Sequence, residues 1–271
     1  TAACLLPVIT GFALPAGQLA WWATHRMTTF FNSELLRLTA TSLSLASVAT
    51  VFTILLATLV AYTNRIRKER FVGVLSRWSS AGYAVPAAVL AVGIATAYTW
   101  IDHQLKGVAL TIFGVSPGLI LTASGLALVG GYITRFFAIG YHAIESGFTR
   151  IPERFNEVSQ ALGHSPGSGL LHVVLPNIRP AVLTASTLIV VEMLKELPLT
   201  LILRPFRIET LSTNVFRLAG NEQLAEAAPF AIVILICGLV PVLILNRIVA
   251  ATNRQAALPA ETDDSAATPH T

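Results

Sequence analysis

Charged residues are scarce in this chain of 271 residues: they make up 12% of it, against about 25% in an average soluble domain. Hydrophobic residues make up 54%, which leaves too little polar surface to cover a soluble globule. This balance excludes a cytosolic enzyme, a nucleic-acid-binding domain and a disordered chain. The net charge of +4 does not indicate nucleic acid, because basic residues flank the helices of membrane proteins. We therefore predict an all-α integral membrane protein in contact with lipid.

Cysteine is nearly absent, and so are the motifs of common catalytic sites. Cys4 and Cys237 lie far apart in apolar segments, which excludes a disulfide framework and a zinc site built from cysteine pairs. The sequence has no glycine-rich phosphate loop with its lysine, so we expect this chain to bind neither ATP nor another cofactor. It also has no His-Glu-x-x-His motif and no serine, histidine and aspartate at a recognisable spacing. We therefore expect that the chain is not an enzyme.

Long apolar runs dominate what is present. A membrane-crossing helix needs about 20 mainly apolar residues. Six segments qualify: 4–22, 38–63, 81–101, 119–139, 181–197 and 227–248. Pro86 and Pro241 fall inside two of them, where neighbouring helices can satisfy the freed backbone groups. The tail over 251–271 is rich in Ala, Thr, Asp and Pro and is predicted to be disordered.

The distribution of basic residues between the loops predicts how the chain lies in the membrane. Eleven of the 18 lysines and arginines, Arg135 among them, follow the second, fourth and sixth segments, and seven lie on the opposite side. The positive-inside rule then places both termini and the loop over 140–180 in the cytoplasm. The predicted parts are a helix with its periplasmic loop (1–34), a transmembrane domain (35–250) with a cytoplasmic loop at 150–178, and the cytoplasmic tail.

The long cytoplasmic loop contains two short predicted helices. Ile151-Pro152 favours a turn into an amphipathic helix over 155–162, which Gly163 ends. A second helix is predicted over 169–174, ending before Pro176. The pattern alone leaves two interpretations open: the pair docks a soluble partner, or it only caps the helical bundle at the interface.

The spacing within this loop resembles a family motif. Glu157-Val158-Ser159 is followed after three residues by Gly163 and after nine more by Val173-Val174-Leu175-Pro176. This resembles the EAA loop of binding-protein-dependent ABC importer permeases of type I, which reads Glu-Ala-Ala, glycine and Ile-x-Leu-Pro at the same spacing. The resemblance implies a coupling helix that lies in a groove of a cytoplasmic ATPase, and an ATPase dimer that switches the pore between two states. The coupling residues that it implies are Glu157, Ser159, Ala161, Gly163, Val173, Leu175 and Pro176.

Three ionisable residues end the fifth apolar segment: Glu192, Lys195 and Glu196. An ionisable group in the hydrocarbon layer costs at least about 2.5 kcal/mol, so it normally faces a cavity or a partner. One interpretation is an internal Glu192–Lys195 ion pair near the outer interface. The other is that the three residues line the translocation pathway. In that case Glu192 and Glu196 bind a hard cation such as Fe3+ transiently.

The segment that follows resembles the ferric-iron branch of the same family. The matching residues are Lys195-Glu196-Leu197-Pro198, Thr200-Leu201, Leu203-Arg204-Pro205-Phe206 and Glu209-Thr210-Leu211. The resemblance covers nearly the whole chain and implies import of ferric iron delivered by a periplasmic binding protein. It also implies that the chain is the C-terminal half of a fused permease, so that the pore needs the other half or a second copy. The alternatives are thiamine, polyamine or phosphonate on the same scaffold, and a secondary transporter as another class.

Overall fold

The computed structural model describes residues 2–30, 32–67, 74, 81–114, 118–152 and 165–256, and all regular structure in these ranges is helical. The α-helices are α1 Ala2–Val8, α2 Leu14–Thr24, α3 Met27–Phe30, α4 Ser33–Arg67, α5 Ala81–Ala84, α6 Ala87–Phe113, α7 Ile120–Ala123, α8 Leu126–Thr149, α9 Pro166–Gly169, α10 Leu175–Asn177, α11 Arg179–Leu194, α12 Pro198–Leu203, α13 Leu211–Gly220 and α14 Leu224–Ala256. Two π-helical turns, Ile9–Ala13 and Leu170–Val174, join α1 to α2 and α9 to α10.

Proline and glycine lie at the breaks between consecutive helices. Pro86 separates α5 from α6, with extended backbone at ψ 134°, and Pro198 opens α12 after the end of α11. Gly125 has φ +87°, a left-handed conformation that favours glycine, and separates α7 from α8. The predicted segment over 119–139 is therefore not one continuous helix. Likewise, the segment over 181–197 ends as a helix at Leu194.

The helices α4, α8 and α11 pack together at the centre of the molecule. Small residues permit this close approach: a Cβ on Gly140 of α8 would lie 3.2 Å from Ile189 of α11 and 3.5 Å from Ala57 of α4. Toward the end of α8 the buried side chains form a loop-end cluster, which also includes residues on both sides of the 150–178 loop. Its members are Ala57, Ala61, Tyr62, Phe137, Tyr141, Ile144, Phe148, Ile151, Val174 and Ile178.

The other end of α4 supports α13 and α14. Thr210 and Thr213 form a capping box at the start of α13, and the Leu211 backbone N–H donates to Ser42 Oγ of α4 at 2.8 Å. α14 packs against both α13 and α2. The segment that follows the break after α11 is thereby fixed to the N-terminal third of α4.

Asp102 fixes α7 to α6. Its carboxylate accepts hydrogen bonds from the backbone N–H groups of Ile120, Leu121 and Thr122 and from the Thr122 hydroxyl, at 2.8–3.0 Å. The first turn of α7 thus has its unpaired donors satisfied by a residue of the preceding helix.

Three helices of the described residues are long and apolar enough to cross a membrane: Leu5–Thr24, Ser33–Ile66 and Leu224–Arg247. A fourth span results if Gly167–Asn177 and Arg179–Leu194, which meet at 77°, are one broken span. The prediction of an all-helical membrane protein is confirmed, whereas the count of six spans stays a prediction. α6 and α8, the remaining long helices, contain Asp102 and Arg135.

The ends of the predicted domain fall close to helix boundaries. α4 begins at Ser33, two residues before the predicted domain start at 35. α14 continues to Ala256, so residues 251–256 of the predicted tail are helical, and residues 257–271 lie outside the described residues.

Candidate functional site

A buried ion pair joins α8 to the break between α11 and α12. Arg135 Nε lies 3.1 Å from Glu196 Oε2, and the two side chains are only 17% and 9% exposed. Arg135 is in the middle of α8, whereas Glu196 follows the last turn of α11. Each of these charges would be expensive in an apolar environment if it were alone, and each neutralises the other.

Arg135 also reaches a second helix break. Its Nη1 donates to the Val85 carbonyl at 3.3 Å, directly before Pro86, where α5 gives way to α6. The guanidinium lies 5.9 Å from the ring centroid of Tyr83 and 5.8 Å from that of Phe136, within the range of cation–π attraction. One side chain therefore connects three parts of the structure: α8, the α5–α6 break and the α11–α12 break.

Glu196 is held by its backbone as well as by its carboxylate. Oε1 accepts the Leu199 N–H at 3.2 Å, and the Glu196 carbonyl accepts the hydroxyls of Thr200 at 2.8 Å and of Ser212 at 3.1 Å. Thr200 in turn shares a hydrogen bond of 2.6 Å with the Tyr132 hydroxyl of α8. The backbone groups freed by the break are thus satisfied by the Glu196 carboxylate and by hydroxyls of α12 and α13, as an apolar environment requires.

Glu192 and Lys195 form the ion pair that their three-residue spacing allows, at 2.8 Å. This pair is more open than the first, since Lys195 is 57% and Glu192 30% exposed. The two carboxylates predicted to bind a cation, Glu192 and Glu196, therefore have different basic partners. Within the described ranges no group of three His, Cys, Asp or Glu residues could hold a metal ion, and transient binding of Fe3+ stays a prediction.

The predicted coupling residues lie partly within the described residues. Glu157, Ser159, Ala161 and Gly163, and the helix predicted over 155–162, lie outside them. Val173 belongs to the π-helical turn, and Leu175 and Pro176 belong to α10. The prediction that the second helix ends before Pro176 was wrong: the helix continues to Asn177, because proline is tolerated in the first turn of α10.

Two arginines of this arrangement were missed as site residues by sequence reasoning. Arg135 was counted with the cytoplasmic loop, although it lies inside an apolar segment. It pairs with Glu196, which follows the end of α11 that is farther from this loop. Arg65 was counted in the loop after the second segment, yet it lies within α4 and contacts the end of α8. A lone arginine inside an apolar run was the available signal for Arg135. No local signal marked Arg65, since its partners are backbone carbonyls.

The sequence is similar to that of known transport proteins. The sequence profile described as "Binding-protein-dependent transport system inner membrane component" matches residues 49–257. The chain is 25% identical over 158 residues to the Fe(3+)-transport system permease protein FbpB 2 of Haemophilus influenzae, covering 55% of this chain and 31% of that protein. It is 27% identical over 165 residues to the putative 2-aminoethylphosphonate transport system permease protein PhnV of Salmonella typhimurium, covering 61% and 56%.

A solved structure shares the fold. A bacterial alginate ABC transporter in complex with an alginate pentasaccharide-bound periplasmic protein contains a chain that superposes with a TM-score of 0.70 at 17% identity. The superposition covers 91% of this chain and 92% of that one. The helices therefore adopt the fold of type I ABC importer permeases, as the EAA-type spacing predicts.

Proposed function

Because this chain belongs to the family of binding-protein-dependent transport system inner membrane components, we propose that it is the permease subunit, or half of one, of an ATP-driven ABC importer. The match over residues 49–257 is the observation that carries this proposal. We further propose that a cytoplasmic ATPase dimer binds ATP and Mg, that a periplasmic binding protein delivers the substrate, and that this chain forms the pore without being an enzyme. A periplasmic protein is bound to the alginate transporter of similar fold.

The other half of the pore is part of the proposal. The matched part of the chain covers 31% of the Haemophilus relative and 56% of the Salmonella relative. The first figure fits a chain that corresponds to one half of a fused two-half permease, the C-terminal one by the resemblance of its motifs. A second copy of this chain is the alternative partner.

Ferric iron is the substrate that we propose first. The residues around Glu196 resemble the iron branch, and one relative is an Fe(3+)-transport permease. Glu192 is the more available carboxylate of the two, because its side chain is 30% exposed and its partner Lys195 is 57% exposed. An aminophosphonate is the second candidate, supported by the similar identity to PhnV and by the basic side chains of Arg135 and Lys195 beside the carboxylates, since guanidinium and ammonium groups bind phosphonate oxygens.

Uptake by the reconstituted system tests both levels of the proposal. The complete permease, its ATPase and its binding protein are placed in proteoliposomes and offered Fe3+, 2-aminoethylphosphonate, thiamine and putrescine in parallel, with and without ATP. ATP-dependent uptake of Fe3+ alone is the expected result. Uptake of aminophosphonate alone would show that aminophosphonate, not Fe3+, is the substrate. Uptake that is driven by a gradient and does not depend on ATP would make the chain a secondary transporter.

A matched pair of variants connects substrate to site in the same assay. Glu192→Gln removes the partly exposed carboxylate and is expected to slow Fe3+ uptake. Glu222→Gln removes an exposed carboxylate in the turn before α14 and is expected to leave Fe3+ uptake unchanged. Equal rates in the two variants would remove Glu192 from the pathway.

We propose that the protein lies in the bacterial inner membrane with both termini in the cytoplasm. The charge count behind this orientation changes, because Arg135 lies within α8 rather than in a loop. Without it, ten basic residues remain on the proposed cytoplasmic side, against seven on the other. The bias still favours the same orientation.

A further inference from the structure

Arg65 connects the end of α4 to the end of α8. Its guanidinium donates hydrogen bonds to the carbonyl oxygens of Phe148, of Ile151 at 2.7 Å and of Pro152 at 3.1 Å. It also lies 5.7 Å from the ring centroid of Phe148. The Phe148 carbonyl lies in the last turn of α8, and those of Ile151 and Pro152 lie at the start of the 150–178 loop.

The chemistry of a helix end explains why an arginine fits here. The final carbonyls of an α-helix have no partner within the helix, and they carry the negative end of its dipole. A guanidinium offers five donors in a planar fork, so that it can bind several carbonyls at once, whereas an ammonium offers three donors at one point. Arg65 of α4 therefore binds one carbonyl in the last turn of α8, that of Phe148, and two carbonyls just beyond the helix, those of Ile151 and Pro152.

One donor of Arg65 stays without a partner. Its Nε is buried and has no hydrogen-bond partner among the described residues, which costs about 1–3 kcal/mol. The hydrogen bonds of the other two nitrogens to three carbonyls offset this cost. The contact therefore both stabilises the junction and sets the position of the first loop residues relative to α4.

The two ends of the loop rest on the same buried surface. Ile151 on the incoming side is 9% exposed, and Val174 and Ile178 on the outgoing side are each 1% exposed. All three belong to the loop-end cluster together with Ala57 and Tyr62 of α4. A displacement of the loop therefore reaches α4 through packing as well as through Arg65.

α4 extends from this junction to the opposite end of the molecule. It is a helix of 35 residues, and Ser42, which accepts the Leu211 N–H, lies about 35 Å from Arg65 at about 1.5 Å per residue. α4 contains no proline, glycine or break, in contrast to the chain at Pro86 and Pro198, so we expect it to move as a unit. α4 thus links the coupling loop to the segment that follows the α11–α12 break.

We propose that Arg65 is a positioning residue that transmits movement of the 150–178 loop to α4 during ATP-driven transport, an inference that rests on the proposed function. Without its hydrogen bonds the loop still docks on the ATPase, and ATP is still hydrolysed, but less of the loop movement reaches α4. The predicted defect is therefore loss of coupling, with fewer substrate molecules imported for each ATP hydrolysed.

The test measures uptake and ATP hydrolysis in the same proteoliposomes, for wild type, Arg65→Met and Arg65→Lys, normalised to assembled complex. Arg65→Met is expected to lower the ratio of uptake to hydrolysis by about threefold to tenfold, in the range by which residues between two sites modulate coupling. Arg65→Lys keeps the charge and part of the donor set, and should give an intermediate ratio. Arg179→Met, the same change at an exposed arginine of the outgoing side, should leave the ratio unchanged.

Three outcomes would overturn the inference. Uptake and hydrolysis that fall in proportion in Arg65→Met would make Arg65 purely structural, and an unchanged ratio would remove it from transmission. If Arg65→Met does not assemble, Arg65→Lys decides alone, and a wild-type ratio in that variant counts against the proposal. Wild-type complex without any ATP-driven uptake would refute the proposed function itself, which separates that failure from the failure of the Arg65 inference.

Discussion

Removing Arg135 while Glu196 remains is the perturbation with the largest expected effect on stability. Arg135→Met leaves the Glu196 carboxylate, 9% exposed, with the Leu199 N–H but without the guanidinium of Arg135. Breaking a buried ion pair by removing one partner costs about 3–5 kcal/mol, because an uncompensated charge stays buried. The same substitution also removes the hydrogen bond to Val85. We therefore expect Arg135→Met to be strongly destabilising.

The double variant Arg135→Met/Glu196→Gln tests whether the loss of stability comes from the unpaired charge of Glu196. It removes both charges, while the glutamine oxygen still accepts the Leu199 N–H. It should therefore be more stable than Arg135→Met although it contains one more substitution. Lys195→Met is the matched control, because it breaks the open pair with Glu192, and exposed pairs contribute only about 0–1 kcal/mol.

Thermal melting of the complete purified permease in detergent measures these differences. At about 2–4 °C per kcal/mol for a chain of 150–250 residues, Arg135→Met is expected to lower Tm by roughly 6–20 °C. The double variant should recover a substantial part of this loss, and Lys195→Met should lower Tm by no more than about 4 °C. Two results would refute the reasoning. One is a Tm of the double variant that is equal to or lower than that of Arg135→Met. The other is a Tm of Arg135→Met that is equal to that of Lys195→Met.

Two further predictions concern packing and orientation. Gly82→Ala places a Cβ against the Thr134 carbonyl oxygen of α8, so it should lower the stability measured by melting by about 1–3 kcal/mol. Gly93→Ala, in open space, should be neutral or stabilising by about 1 kcal/mol. Equal Tm values of the two variants would contradict the close α5–α8 contact. In a background without the native cysteines, an impermeant maleimide should label Ser165→Cys only from the cytoplasmic side and Asn221→Cys only from the periplasmic side, both positions being exposed. The reverse pattern would invert the proposed orientation.

The helical class of this protein was predictable, because it depends on long apolar runs that local sequence displays directly. The segments over 38–63 and 227–248 fall inside α4, which contains neither proline nor glycine, and α14, which continues through Pro229 and Pro241 without a break. The Glu192–Lys195 pair was predictable for the same reason, since a three-residue spacing brings both side chains to one helix face. Such features require only the geometry of a single helix.

The breaks and the buried pair were not predictable in that way, because they depend on residues far apart in the sequence. α7 is a separate element because Asp102, eighteen residues before Ile120, satisfies its first donors, and Gly125 then permits the left-handed turn. Arg135 and Glu196 are 61 residues apart. Two lone ionisable residues of opposite sign in apolar segments indicated that each needs a partner, but not that they are partners of one another.

Arg65 and Arg135 connect different parts of α8 to different parts of the structure. Arg65 joins its end to the long unbroken α4, whereas Arg135, about 20 Å further along the helix, joins its middle to the breaks beside Pro86 and Pro198. A break has fewer intrahelical hydrogen bonds to lose than a packed helix, so a displacement of α8 is accommodated most readily there. Because Arg135 binds the Val85 carbonyl at one break and the Glu196 carboxylate at the other, we expect the two breaks to change together when α8 moves. We therefore expect the loop-end contacts to determine how much movement reaches the helices, and the contacts of Arg135 to determine where the helices bend.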